Sequence, residues 1–351
     1  MKKIIFSVIS VLAAVFLLGF SGEVREAVSK AISDCLEIIV PSLFAFSALS
    51  FYLQKSGLYK TALKPFTFLL SKILRTNEEL CGIFLLSNIG GYPVGASLLS
   101  GLVRENRLDR KDAAKLMCCC FGSGPSFIIG MVGKTVFNSA RAGAVLFLSC
   151  FLSSLVMAAV VFLRGRIELK ETRSRYDLSA GCFIDSVSSA ARAMFAVCTM
   201  IVIFSVIMAA LGMIGANRTL AEIFAPFGEN AGAVFSSLLE VTRIKDISAG
   251  EYAMPICAAL LSFGGVCVAL QTTAIVGKDI PLGRFLLSRI PASALSAVFS
   301  SAFVHVIPSM SEEVLAGNTQ AAAFSGNAAL SACLIAMCAI LLLGNSRDFS
   351  R

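Results

Sequence analysis

Four short polar clusters interrupt an otherwise apolar chain, and their residue types suit binding. Ser87 and Asn88 stand just before Gly90-Gly91, Ser123 and Ser126 flank Gly124-Pro125, Glu240 and Thr242 follow Leu238-Leu239, and Gln271 lies one to two turns beyond Gly264-Gly265. The hydroxyls and amides offer neutral donors and acceptors. Glu240 adds a carboxylate that can hold a proton or cation, or accept hydrogen bonds from a substrate ring. A helix restarting at Ser126 would aim free N–H groups and a positive dipole end at its surroundings, which favours an anion or a carbonyl-rich ligand. Pro125 is tolerated there because it lies near a helix start. The alternatives are structural: glycines that let helices pack closely, a Glu240 paired with Arg243 or Lys245 at a wet membrane edge, and a Gln271 bonded to a neighbouring helix.

Catalysis and cofactors find little support. No His-Glu-x-x-His occurs, residue 121 is Phe where a Gly-x-Ser-x-Gly nucleophile at Ser123 needs Gly, and His305 beside Pro308 is the single histidine. The twelve cysteines, Cys118-Cys119-Cys120 among them, lack metal-ligand spacing and read as small apolar residues. The sequence therefore points to no enzyme, no metal and no cofactor. No phosphate-binding Gly-x-x-x-x-Gly-Lys-Ser/Thr loop is present, so active transport would draw on a gradient or a sink rather than ATP.

The elements that position these clusters belong in a bilayer. Of 351 residues, 57% are hydrophobic and 15% charged, and the mean hydropathy is +0.83; such a chain cannot coat a soluble globule. The excess of basic residues, 30 against 22 acidic, clusters between apolar segments and reads as topology information, with no nucleic-acid partner implied. Segments near 4–20, 31–53, 116–133, 144–163, 187–214, 252–276, 286–307 and 325–344 have membrane length, and the shorter stretches 79–101 and 233–249 suit re-entrant hairpins. The expected fold is an all-α polytopic membrane protein of about eight transmembrane helices plus two re-entrant hairpins in an inverted repeat. Residues 1–26 form an N-terminal helix, 27–180 a first repeat with its broken helix at 116–133, 181–310 a second with its broken helix at 252–276, and 311–351 a C-terminal helix.

Charge placement supports this order. With Lys2 and Lys3 inside, the clusters Lys55 to Arg75, Arg104 to Lys115 and Arg164 to Arg175 all fall in the cytoplasm, as do Lys278 and Arg284. Arg218, Arg243 and Lys245 fall outside, against the rule. Asp185 and Arg192, seven apart, are expected to pair near the cytoplasmic end of their helix. The recurrence of hairpin, broken helix and helix in opposite orientation is the inverted-repeat plan of secondary transporters.

At Gly91-Tyr92-Pro93-Val94-Gly95-Ala96, at Gly122-Ser123-Gly124-Pro125-Ser126-Phe127-Ile128-Ile129-Gly130 with Val132-Gly133, at Leu238-Leu239-Glu240-Val241-Thr242, and at Ser262-Phe263-Gly264-Gly265 with Gln271, the chain resembles the YlbJ (SpoVV) family. These are sporulation integral membrane proteins of the nucleoside-recognition, or Gate, superfamily. The resemblance implies a fold related to concentrative nucleoside transporters, with hairpins and interrupted helices meeting at a central site. It further implies movement of dipicolinic acid across the outer forespore membrane, and residence in that or the mother-cell membrane of a spore former. It places Asn88, Ser123, Glu240, Thr242 and Gln271 near the substrate, whereas Arg243 stands where a small or amide residue is usual. The partners expected are a small-molecule substrate, the lipid bilayer and a coupling proton or cation, with a homo-oligomer compatible. A nucleoside or related heterocycle as cargo, and a non-transporting scaffold for the spore envelope, are the competing readings.

Overall fold

A bilayer offers the backbone no hydrogen-bond partners, so apolar runs of this length fold as helices. The computed structural model describes residues 2–170, 176–215, 219 and 222–307, and among these its regular structure is helical without a strand. Helices α1 (Lys2–Gly19), α2 (Ser21–Asp34), α3 (Val40–Lys55), α4 (Tyr59–Ala62) and α5 (Lys64–Leu74) lead into a helical hairpin, α6 (Glu78–Gly90) and α7 (Tyr92–Arg104). After α8 (Arg110–Leu116) the chain loses helical form at residues 121–124, then resumes as a π-helical segment, Ser126–Val132, and α9 (Gly133–Val136). Then follow α10 (Ala140–Leu163), α11 (Ala180–Met213), α12 (Ala231–Leu239), a 3-10 segment Val241–Asp246, α13 (Ala253–Phe263), α14 (Gly265–Val276) and α15 (Gly283–Val306).

Among the described residues, four helices are long and apolar enough to cross a membrane: Ala140–Leu163, Ala180–Met213, Ala253–Val276 and Gly283–Val306, or five if the pair Ser21–Ile39 and Leu43–Lys55, bent by 55°, is one span. At 1.5 Å per residue the 34 residues of α11 reach beyond the hydrocarbon core of about 30 Å. The count of eight goes beyond what these helices show. The 116–133 stretch is divided by its break, while the expected span 325–344, the segment 311–351 and Arg218 lie outside the described residues.

Local chemistry sets the helix starts. Asn77 Oδ1 accepts the Glu79 N–H at 2.7 Å to open α6, Asp109 accepts Lys111 N at 2.8 Å for α8, and Ser139 and Ser179 cap α10 and α11 at 3.1 Å. Helix α6 is apolar around its whole circumference and accordingly lies buried among α3, α5 and α7, with ten of its 13 residues inside. The chain reverses at Gly91, whose φ of +90° suits glycine and whose neighbour Pro93 starts α7.

The second hairpin, expected over 233–249, takes another form. Only its first arm, α12, is an α-helix; its return is the single 3-10 segment Val241–Asp246 after an extended Glu240. Six residues carrying Arg243, Lys245 and Asp246 are too few and too polar for a second apolar arm.

Charged clusters that lie far apart in the chain meet in the fold. Arg104 Nε lies 2.6 Å from Asp279, and Arg110 Nε donates to the Asp279 carbonyl at 2.9 Å, so two clusters assigned to the cytoplasm share one end. Lys55 bonds Ser189 at 2.9 Å and the Asp185 carbonyl at 3.0 Å. Lys245, assigned to the other side, meets Asp34 at 2.6 Å. The expected Asp185–Arg192 pair does not form among the described contacts.

Candidate functional site

Every helix break releases carbonyls that must find donors. Where α8 ends, the Cys119 carbonyl accepts from Asn88 Nδ2 at 3.3 Å, the same amide that reaches back to the Phe84 carbonyl at 2.9 Å, and the Cys118 carbonyl accepts from the Arg289 guanidinium. Where α13 ends, the Leu261 carbonyl accepts from Tyr92 Oη at 2.6 Å and from Ser123 Oγ at 3.3 Å, and the Ser262 carbonyl lies 3.4 Å from Arg289 Nη1. Residues of the first hairpin and first break thus cap carbonyls of the second break. Backbone shape fits this crossing. Gly264 sits at φ +84°, and a Cβ there would stand 2.7 Å from the Phe121 ring, which itself packs on Tyr92 with centroids 4.7 Å apart.

Between the tips lies a cavity of about 30 Å³, bordered by Tyr92, Pro93, Ser123, Glu240, Thr242 and Gln271 with apolar side chains of α3, α11 and α14 around them. Glu240 is 2% exposed. One of its carboxylate oxygens accepts the Thr242 N–H at 2.9 Å, the other accepts the Thr242 hydroxyl, and so it caps the 3-10 turn. It is neither at a wet edge nor paired with its basic neighbours, since Arg243 pairs with Asp246 at 3.7 Å and Lys245 with Asp34. Gln271 Nε2 rests on Cys267 Sγ at 3.3 Å. The cavity has room for about two waters, whereas pockets for drug-sized ligands enclose roughly 300–1,000 Å³; the space as it stands is too small for such a ligand.

No family model matches the chain. Compared with curated proteins, it aligns over 317 residues at 25% identity, covering 78% of this chain and 76% of its counterpart. It is similar to YlbJ of Bacillus subtilis. That protein is described as a sporulation integral membrane protein. Among solved structures, a doubly substituted CNTnw in an outward-facing state aligns with a TM-score of 0.46 and 16% identity, over 87% of this chain and 85% of that one.

Of the residues expected at a site, Ser123, Glu240, Thr242 and Gln271 border the cavity. Asn88 does not; its amide braces the first break from behind, with Gly122 packed against it. Ser87 bonds back to the Ile83 carbonyl at 2.7 Å inside α6. Gly90, Gly91 and Gly124 shape the approach of hairpin tip to break: a Cβ on Gly124 would stand 3.1 Å from the Ile89 carbonyl oxygen, and the Gly90 carbonyl accepts from Ser47 at 3.3 Å. Ser126 opens the π-helical segment, and Gly264 forms the second break. His305 is exposed, its Nδ1 2.7 Å from the Ser301 carbonyl.

Two residues escaped the sequence reading. Tyr92 looked like part of a turn motif, although a phenol next to Gly-Gly is well placed to reach across a junction. Arg289 is the second; a lone charge within the apolar run 286–307 was the available signal.

Proposed function

We propose that this integral membrane protein is a transporter for a small anionic metabolite, with dipicolinate, crossing the outer forespore membrane during sporulation, as the concrete candidate. The observation that carries the reading is the small cavity between two helix interruptions, bordered by Ser123, Glu240, Thr242 and Gln271, where irregular backbone is buried in protein, as membrane transport sites require. On this reading the α6–α7 hairpin and the α12 segment are re-entrant elements of an inverted repeat, entering from opposite faces. Opening at the cavity would expose the Ser123, Thr242 and Tyr92 hydroxyls and the start of the helix at Ser126, a donor-rich surface suited to carboxylates. The similarity to a sporulation membrane protein supports the physiological setting.

Glu240 favours a second reading. A buried acceptor beside Gln271 also suits a neutral heterocycle with N–H or O–H donors, such as a nucleoside. Uptake of radiolabelled dipicolinate by proteoliposomes, with uridine as competitor, separates the two. The anion reading expects uptake that uridine leaves unchanged and that Glu240→Gln lowers about tenfold or more, the scale of one charged hydrogen bond. Uptake of uridine instead would favour the heterocycle. Transport of neither, by folded protein, would leave a scaffold role.

A further inference from the structure

The C-terminal carbonyls of interrupted helices are where secondary transporters commonly coordinate a free coupling cation. Here a side chain is already there. Arg289, nearly two turns into α15, is 4% exposed and has no carboxylate partner among the described residues. Its guanidinium donates to the Cys118 carbonyl at the first break and approaches the Ser262 carbonyl at the second, at 3.4 Å. The same group lies over two rings, 4.7 Å from the Phe121 centroid and 5.0 Å from that of Phe285, and bonds Ser288 Oγ at 3.1 Å. Its Nε is buried without a partner.

Arginine keeps its charge in proteins and presents its donors in a rigid planar fork. A buried cation without a counter-ion is costly, and what offsets the cost here is the set of carbonyl dipoles at two helix ends together with the faces of two rings. We propose that Arg289 is a tethered cation that occupies the carbonyl site joining the two helix breaks, so that no free metal cation is needed there. This rests on the transporter reading and narrows it: sodium or potassium is not the coupling ion at this junction. Phe121, held beneath the guanidinium, also packs on Tyr92, whose hydroxyl borders the cavity. Arg289 is therefore a positioning residue that fixes both breaks relative to the cavity without touching its contents.

The test uses the purified full chain. Wild type should melt at the same temperature when sodium is exchanged for choline at equal ionic strength. Arg289→Ala should melt lower and recover saturably with low millimolar guanidinium, which choline does not reproduce. A wild-type protein stabilised saturably by sodium or potassium, or an Arg289→Ala variant that melts like wild type, would overturn the proposal. Should Arg289→Ala fail to fold, Arg289→Lys, which keeps the charge but not the fork, is expected to melt between unfolded variant and wild type; an Arg289→Lys protein equal to wild type would count against it. In proteoliposomes, uptake should be equal in sodium and choline, and Arg289→Ala should lower it about tenfold or more, as for one lost charge-assisted bond. Sodium-dependent uptake sinks the tethered cation and leaves the transporter. Absence of uptake in every buffer, with the melting results as expected, sinks the transporter and leaves the tethered cation.

Discussion

The two halves of the junction solve the same problem differently. In the first, both arms of the hairpin are α-helices with most residues buried, and the tip packs backbone to backbone against the break at 121–124. In the second, α12 buries only Val234 and Ser237, the return is a short 3-10 segment, and the tip carries Glu240. The first half is a framework whose glycines leave no room. In the second, α12 is lightly packed although the return is buried at Val241, Thr242 and Ile244, and elements with few buried contacts open at the lowest cost. On the transporter reading, movement belongs to the second half.

Gly95→Ala tests the rigidity of the first half most severely. A Cβ there would run into the Cys120 carbonyl oxygen, with backbone on both sides unable to yield, so a loss of about 3 kcal/mol or more is expected, read as a fall in folded yield and melting temperature. An unchanged melting temperature would remove the contrast between halves. Gly264→Ala probes where they meet. A positive φ costs a residue with a side chain about 1–2 kcal/mol, and the methyl also meets Phe121 at 2.7 Å; the combination with Phe121→Leu should recover the steric part only, leaving a partial deficit by the same melting measurement.

At the Arg104–Asp279 contact the effect is smaller and pH-dependent. The Ser100 hydroxyl, then Arg104, hold the Asp279 carboxyl below its ordinary range. Because the folded value is depressed, the stabilisation is present above the unfolded value and disappears as pH falls through the folded one. Asp279→Asn should therefore melt slightly below wild type at neutral pH and match it in acid; a gap that persists in acid would mean that the link of α7 to the α14–α15 loop is not electrostatic. The smallest change, of opposite sign, is expected in the lightly packed half. Gly232→Ala in α12 meets nothing within 4 Å and should stabilise by about 0.5–1 kcal/mol through helix propensity.

What could be read from the sequence follows the same division. Gly90-Gly91, Gly122 to Gly124 and Gly264-Gly265 are visible as breaks because Gly and Pro stand out in apolar runs, and they mark the observed interruptions. Ser123, Glu240, Thr242 and Gln271 were recognisable as polar groups at those breaks. The form of the second hairpin was not legible: hydropathy registers that residues 233–249 are apolar on balance, but not that Glu240 turns back to cap its own 3-10 segment. Asn88 likewise looked like a ligand contact, because sequence cannot tell which carbonyl an amide will satisfy. Tyr92 and Arg289 act across 169 and 171 residues of chain to Leu261 and Cys118, and no local pattern records such reach.

The cavity of about 30 Å³ bears on ions as well as on the cargo. A space for about two waters has no room for an ion with its full hydration shell. In this conformation the pocket between the tips gives a hydrated ion no place to rest. On the transporter reading, an ion or cargo could enter only after the junction opens.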